Sequence, residues 1–146
     1  MRIHELGHVV LYVSNIDTVA AFYRDLLGFS QIGAGVGYAL FSSGRTHHEL
    51  LLLEIGGQPP TAKPIQTGLY HIGFKIGNSP EDIQHAYREL QEKGVPIVGS
   101  ADHTVTHSLY VLDPDGNELE LYADVTDVWK TDPTAVLSPT KPLPLV

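Results

Sequence analysis

The chain of 146 residues contains no cysteine, which excludes disulfides, thiolate metal sites and a cysteine nucleophile. It is also short of positive charge, with 9 Lys+Arg against 17 Asp+Glu and a formal net charge of -8. No basic run tracks a phosphate backbone, so nucleic acid is not an expected partner, and a strongly anionic substrate would need a metal to supply the missing charge. No apolar stretch approaches the roughly 20 residues that span a bilayer. The opening MRIHELGHVV has no basic region followed by an apolar run and a cleavage site. A cytoplasmic protein with no membrane partner is expected. What the chain has in excess is histidine, eight residues in all.

A chain of this length is expected to be one domain, able to bury about two thirds of its unfolded surface. The stretch LGHVVLYVSN alternates within a β-rich run. NIDTVAAFYRDLLGF then carries apolar residues at helical spacing up to Gly28, with Asn15 or Asp17 as N-cap. After a glycine-rich link at 33–37, GYALFSS and HHELLLLEI read as two strands around a turn at Ser43 to Thr46. The second half repeats this order. LYHIGFKIGN reads as a strand and SPEDIQHAYRELQEKG as a helix, with Pro80 early and Gly94 past its end. VPIVGS, SLYVLDP and NELELYAD read as further strands, the last two joined by the turn DPDGN.

His8 answers to His71, Asn15 to Asn78, and Tyr23-Arg24 to Tyr87-Arg88 once one residue is inserted. The expected fold class is therefore α+β: two βαβββ modules, neither able to bury its sheet alone, paired into a cupped mixed β-sheet or half-barrel with helices outside. Module one covers 1–55, a Pro/Gly-rich linker 56–67 and module two 68–124, forming a single domain over 1–124. The tail 125–146 has too many prolines for a helix or an interior strand. It is expected to pack extended across a surface or a partner subunit, as in a homo-oligomer, rather than to carry chemistry.

Strand alternation places His8 opposite Val9, Leu11 and Val13, and His71 opposite Ile72, Phe74 and Ile76. Glu120 alternates with Leu119 and Leu121 in the same way. If helices cover the apolar side, both histidines and this glutamate face the concave side of the sheet. Two imidazoles and one carboxylate form the facial set that holds non-haem Fe(II) and leaves positions open for ligands. A single histidine at a strand start is more often a surface or hydrogen-bonded residue, but its recurrence in both modules is harder to assign to chance.

Taken together, GHVVLYVSNIDTVAAFYRDLLGF, LYHIGFKI and HSLYVLDPDGNELELY resemble the vicinal oxygen chelate superfamily of glyoxalases, bleomycin resistance proteins and dioxygenases, over residues 1 to about 124. The resemblance implies paired modules around one divalent metal, with His8, His71 and Glu120 as its ligands. Within the family the chain is most similar to single-domain type I extradiol catechol dioxygenases. RTHHELLLLEI resembles their histidine-bearing strand and implies His48 as an imidazole that assists proton transfer near the metal. Tyr110 matches a tyrosine set against a substrate oxygen. SADHTVTHSLY offers His103 or His107 as a further hydrogen-bond donor, with His103 preferred.

The implied activity is ring cleavage of a catechol-type aromatic diol by O2 at Fe(II), with no organic cofactor. Mn(II) suits the same ligand set. Three alternatives make different demands. A glyoxalase-type isomerase needs a glutamate from the first module, where Leu50 or Leu51 stands and Glu49 aligns only after a shift. A fosfomycin-type thiol transferase holds a phosphonate with basic residues, and SADHTVTHSLYVLDP contains none. A non-enzymatic small-molecule binding protein would line its cavity with aromatic residues in place of the three ligands.

Overall fold

The β-branched opening run forms strand β1 (Val9–Val13) in the computed structural model, which describes residues 1–59 and 65–146. Asn15 then turns the chain, its side chain accepting a 2.9 Å bond from the Thr18 N–H and capping helix α1 (Ile16–Ala21). The expected longer helix does not continue as one α-helix. It widens into a π-type turn over Phe22–Leu26, with the Leu27 N–H on the Phe22 carbonyl at 3.2 Å. It stops at Gly28, whose φ of 68° disfavours any residue with a side chain.

Strands β2 (Ser30–Gly35), β3 (Tyr38–Ser42) and β4 (Leu50–Glu54) follow. The glycine-rich link expected at 33–37 is thus largely strand: β2 lies at the sheet edge, and a register shift between Gln31 and Gly33 absorbs its irregularity. The strand order is β1-β4-β3-β2, with β1 parallel to β4 and the other pairs antiparallel.

The second half builds the same arrangement from β5 (His71–Gly77), α2 (Pro80–Glu92), β6 (Ile97–Asp102), β7 (Thr106–Leu112) and β8 (Glu118–Asp124). Its order is β5-β8-β7-β6, again with only the first pair parallel. The βαβββ unit therefore occurs twice. Residues 60–64 of the expected linker lie outside the described residues. Among the described residues, no helix is long and apolar enough to cross a membrane.

Two compact units result, Met1–Lys63 with Asp113–Gly116, and Pro64–Leu112 with Asn117–Val146. In the first, Val13, Phe41, Leu50 and Leu52 of the sheet are buried together with Val19, Ala20 and Tyr23. The turn at 113–116 belongs to this unit by chemistry as well. Ser14 donates its N–H to Asp115 Oδ2 at 2.8 Å and its hydroxyl to Asp115 Oδ1, and Tyr23 Oη donates to Asp113 Oδ2 at 3.0 Å. Both carboxylates are buried, so these donors answer the cost of removing charge from water.

In the second unit α2 packs on β5, β7 and β8, and Ile83 and Leu90 are buried along with Leu109, Leu119 and Leu121. Glu118, Glu120, Tyr122 and Asp124 alternate with these leucines and stay half-buried on the other face. The start of α2 carries a reciprocal capping box: Ser79 accepts from the Asp82 N–H, and Asp82 accepts from the Ser79 N–H. The cap is Ser79 rather than Asn78, the counterpart of Asn15, because a register shift in β5 between Lys75 and Gly77 adds one residue. Ser79→Ala is expected to cost about 1 kcal/mol, read as a lower urea midpoint at unchanged slope.

The tail departs from expectation. It folds into two 3-10 turns, Val128–Lys130 and Pro133–Leu137, the second opening on a proline at its first position and capped by Asp132, which accepts from the Thr134 N–H. Proline forbids a helix interior but suits that first position, where its missing N–H is not needed. Farther on, Lys141 pairs antiparallel with Asp102.

Candidate active site

Parallel pairing of β5 with β8 sets His71 opposite Glu118 and Gly73 opposite Glu120. His71 Nε2 consequently lies 3.2 Å from Glu120 Oε2, and His71 Nδ1 lies 3.7 Å from Glu118 Oε1. β7 then approaches Glu120 from its other side, with Tyr110 paired to it in register. Glu120 Oε1 accepts from Ser108 Oγ at 2.7 Å and from Tyr110 Oη at 3.2 Å. Because the tyrosine proton points to Glu120, the 2.9 Å contact between His103 Nε2 and Tyr110 Oη has the imidazole as donor. Burial, then the Glu120 charge and its hydrogen bond, push the Tyr110 hydroxyl up to about 12. It stays protonated, a donor, at neutral pH.

These groups open on a cavity of about 490 Å³, within the size range of small-molecule sites. His71, His103, Tyr110 and Glu120 supply its polar face, and Val105, Trp129 and Val136 its apolar one. Among the described residues, no lysine or arginine lines it. His107 is not part of the lining: by alternation it shares the face of Leu109 and Val111, and its Nε2 lies 3.7 Å from Asp102 Oδ1.

The first unit brings three imidazoles together, His8, His47 and His48. The His8 and His48 rings lie 4.5 Å apart, and His48 Nδ1 meets His47 Nδ1 at 2.6 Å, one donating and the other accepting. Desolvation, then the neighbouring His47 and His8, hold His48 below the ordinary imidazole range, which favours its neutral, proton-accepting form.

The register also settles which first-unit residue corresponds to Glu120. Gly73, two residues past His71, pairs with Glu120, and Val10, two past His8, pairs with Leu51. Glu49 is engaged elsewhere, its carboxylate accepting from the Ser43 N–H and hydroxyl and the Thr46 N–H. Although burial opposes it, these donors keep Glu49 below the usual carboxylate range.

Several site residues escape a reading of the sequence. Ser108 lies in a strand whose alternation marks it only as facing Glu120. Glu118 is legible only as the partner of Glu120 two residues on. Tyr70, whose ring lies 4.6 Å from that of His71 and whose hydroxyl is pushed up by its hydrogen bond to Glu118, precedes β5 in an irregular stretch. Trp129 and Val136 come from the tail.

The His71–Glu120 pair suits a divalent ion. Two donors bound at about 2.1 Å to one octahedral ion stand about 3 Å apart, close to the observed 3.2 Å. His71 Nδ1 is buried without a hydrogen bond, with the Glu118 carboxylate 3.7 Å away and the Tyr70 ring beside it. Among the described residues, no group of three or more histidine, aspartate or glutamate side chains is gathered to hold a metal; His71 and Glu120 are a pair, and His8 stands with His47 and His48.

Known proteins resemble the chain in sequence and in fold. Biphenyl-2,3-diol 1,2-dioxygenase 3 of Rhodococcus globerulus is 32% identical over 120 residues, which are 82% of this chain and 63% of that protein. The chain thus spans less than two thirds of that relative's length. Metallothiol transferase FosB of Staphylococcus epidermidis is 34% identical over 119 residues, 80% of this chain and 81% of that protein. A glyoxalase/dioxygenase crystal structure from Nostoc punctiforme shares the fold with a TM-score of 0.67 at 21% identity, over 84% of this chain and 92% of that one. Over residues 5–121 the sequence matches a whole family, and the chain belongs to the Glyoxalase/Bleomycin resistance protein/Dioxygenase superfamily.

Proposed function

We propose that the protein is an extradiol dioxygenase that opens a catechol-type aromatic diol with O2 at Fe(II), or at Mn(II) on the same donors. The observation that carries this reading is the His71–Glu120 pair, braced by Ser108 and Tyr110 and opening on a cavity with an apolar wall. His8 is the third ligand in this reading, and the diol-cleaving relative supports the choice of chemistry. When bound, the metal would hold the diol and O2 next to one another and let electron density pass between them.

The chain's own groups have separate tasks. Tyr110, whose hydroxyl donates to Glu120 here, and His103 behind it form a donor chain that would swing to a substrate oxygen on binding and return a proton as the ring opens. His48, neutral at pH 7, is the base that takes a proton from the diol. Thiol transfer to a phosphonate, the second reading suggested by the FosB relative, is disfavoured by a lining that holds Glu120 and Asp124 without a cation.

The test is anaerobic loading with Fe(II), followed by oxygen uptake with a panel of catechols. Methylglyoxal-glutathione adduct, and fosfomycin with a thiol, are run in parallel. One metal per chain, stoichiometric O2 consumption and a coloured ring-opened product are expected; absence of stoichiometric metal refutes the reading. His48→Ala is expected to retain metal and lose about 10²–10³-fold in turnover, whereas metal loss in this variant would reassign His48 as a ligand.

A further inference from the structure

The family match covers residues 5–121, and the cavity also draws on residues beyond that span. Trp129 and Val136, from the two 3-10 turns of the tail, line it together with His71, Tyr110 and Glu120. The segment that carries them is fastened to the second unit at several points. Asp102 and Lys141 exchange two backbone bonds of 3.0 and 2.8 Å, His103 Nδ1 meets Thr140 Oγ1 at 3.2 Å, and Gln84 bonds the Pro144 carbonyl and the Val146 N–H at 2.8 and 2.9 Å. A strap tied this way is a wall with a fixed position. Thr140 bonds the same imidazole that donates to Tyr110, so the strap and the polar face of the cavity are joined through one residue.

Trp129 keeps 39% of its surface exposed, although a large aromatic ring gains most from being covered. Beside this apolar wall, Asp124 adds a second carboxylate to that of Glu120, and the Lys75 ammonium is paired to Asp124. Resting on the diol reading above, we propose that Trp129 and Val136 are specificity-determining residues that grip an apolar substituent of the aromatic diol, and that Asp124, by holding the Lys75 ammonium, keeps that cation from a diol bearing a carboxylate.

The experiment compares catechol, 3-phenylcatechol and 2,3-dihydroxybenzoate by anaerobic titration calorimetry on the Fe(II)-loaded full chain. Emission from Trp129, the single tryptophan of the sequence, gives an independent optical signal. In the unmodified protein the phenyl-substituted diol is expected to bind roughly tenfold tighter than catechol, the carboxylated diol weaker than catechol, and Trp129 emission to change most with the phenyl compound. Trp129→Ala should bring the phenyl-to-catechol affinity ratio to within about threefold, and Trp129→Phe should keep most of it. Asp124→Asn, which leaves the Lys75 ammonium without its carboxylate, should raise the affinity of the carboxylated diol relative to catechol. An unchanged ratio in folded Trp129→Ala, or no phenyl preference in the unmodified protein, overturns the wall while leaving diol cleavage standing. Failure of all three diols to bind overturns both.

Discussion

Glu120→Ala and His71→Ala are each expected to abolish metal retention and reduce the proposed ring cleavage to background. In the proposed site the two side chains are the donor pair of the second unit, 3.2 Å apart, and neither has a substitute nearby in the right state. Glu118 stands on the other nitrogen of His71, and Ser108 and Tyr110 are donors already turned toward Glu120. Losing a group that merely orients a ligand costs about 10–100-fold in metal affinity, so losing a ligand should exceed 100-fold. Metal content after desalting, measured beside turnover at saturating Fe(II), checks this. Glu118→Gln provides the internal comparison, with a loss of about tenfold in affinity and recovery at high metal. Full metal occupancy in Glu120→Ala would remove that carboxylate from the site.

Tyr23→Phe is expected to lower stability by about 1–3 kcal/mol, because it deletes a hydroxyl donor to the buried Asp113 carboxylate. For a chain of this size that corresponds to a fall of several degrees in Tm, at about 2–4 °C per kcal/mol. The substitution also changes the response to alkali. Burial, reinforced by the Asp113 charge and hydrogen bond and by the Asp115 charge, raises the Tyr23 hydroxyl well above the ordinary tyrosine value of 10.0. Above pH 10 the unfolded chain releases this proton while the folded chain holds it, so the folded state binds more protons and stability falls as pH rises. The slope from this one group approaches 1.4 kcal/mol per pH unit. Urea unfolding between pH 8 and 11 should show a shallower decline in Tyr23→Phe; parallel curves would mean that Tyr23 ionises freely in the folded protein.

The parts of the fold legible in the sequence were those with a strict period. β8 alternates leucine and polar residues, α2 opens on Ser79-Pro80 and closes before Gly94, and the DPDGN turn has the residues its geometry demands. β2 was hidden because its glycines carry no side-chain pattern, and edge pairing with β3 supplies the order that pattern could not. In the tail, prolines exclude an α-helix but leave short 3-10 turns open, so composition alone does not reveal them. For the site, repetition singled out His8 and His71, and alternation singled out Glu120. Trp129 and Val136 follow no repeat, and their place in the cavity depends on a strap fixed by backbone bonds to Asp102, a long-range pairing that no local spacing encodes.

The short turn at 113–116 has a consequence for how this chain could be divided or inherited. It is written between β7 and β8, yet its two aspartates serve Ser14 and Tyr23 of the first repeat. A fragment stopping in the linker would contain the first repeat without the Asp113 and Asp115 carboxylates to which Tyr23 and Ser14 donate. The two repeats read as duplicates, but the first borrows four residues from within the second, so a gene truncated to one copy would encode an incomplete unit.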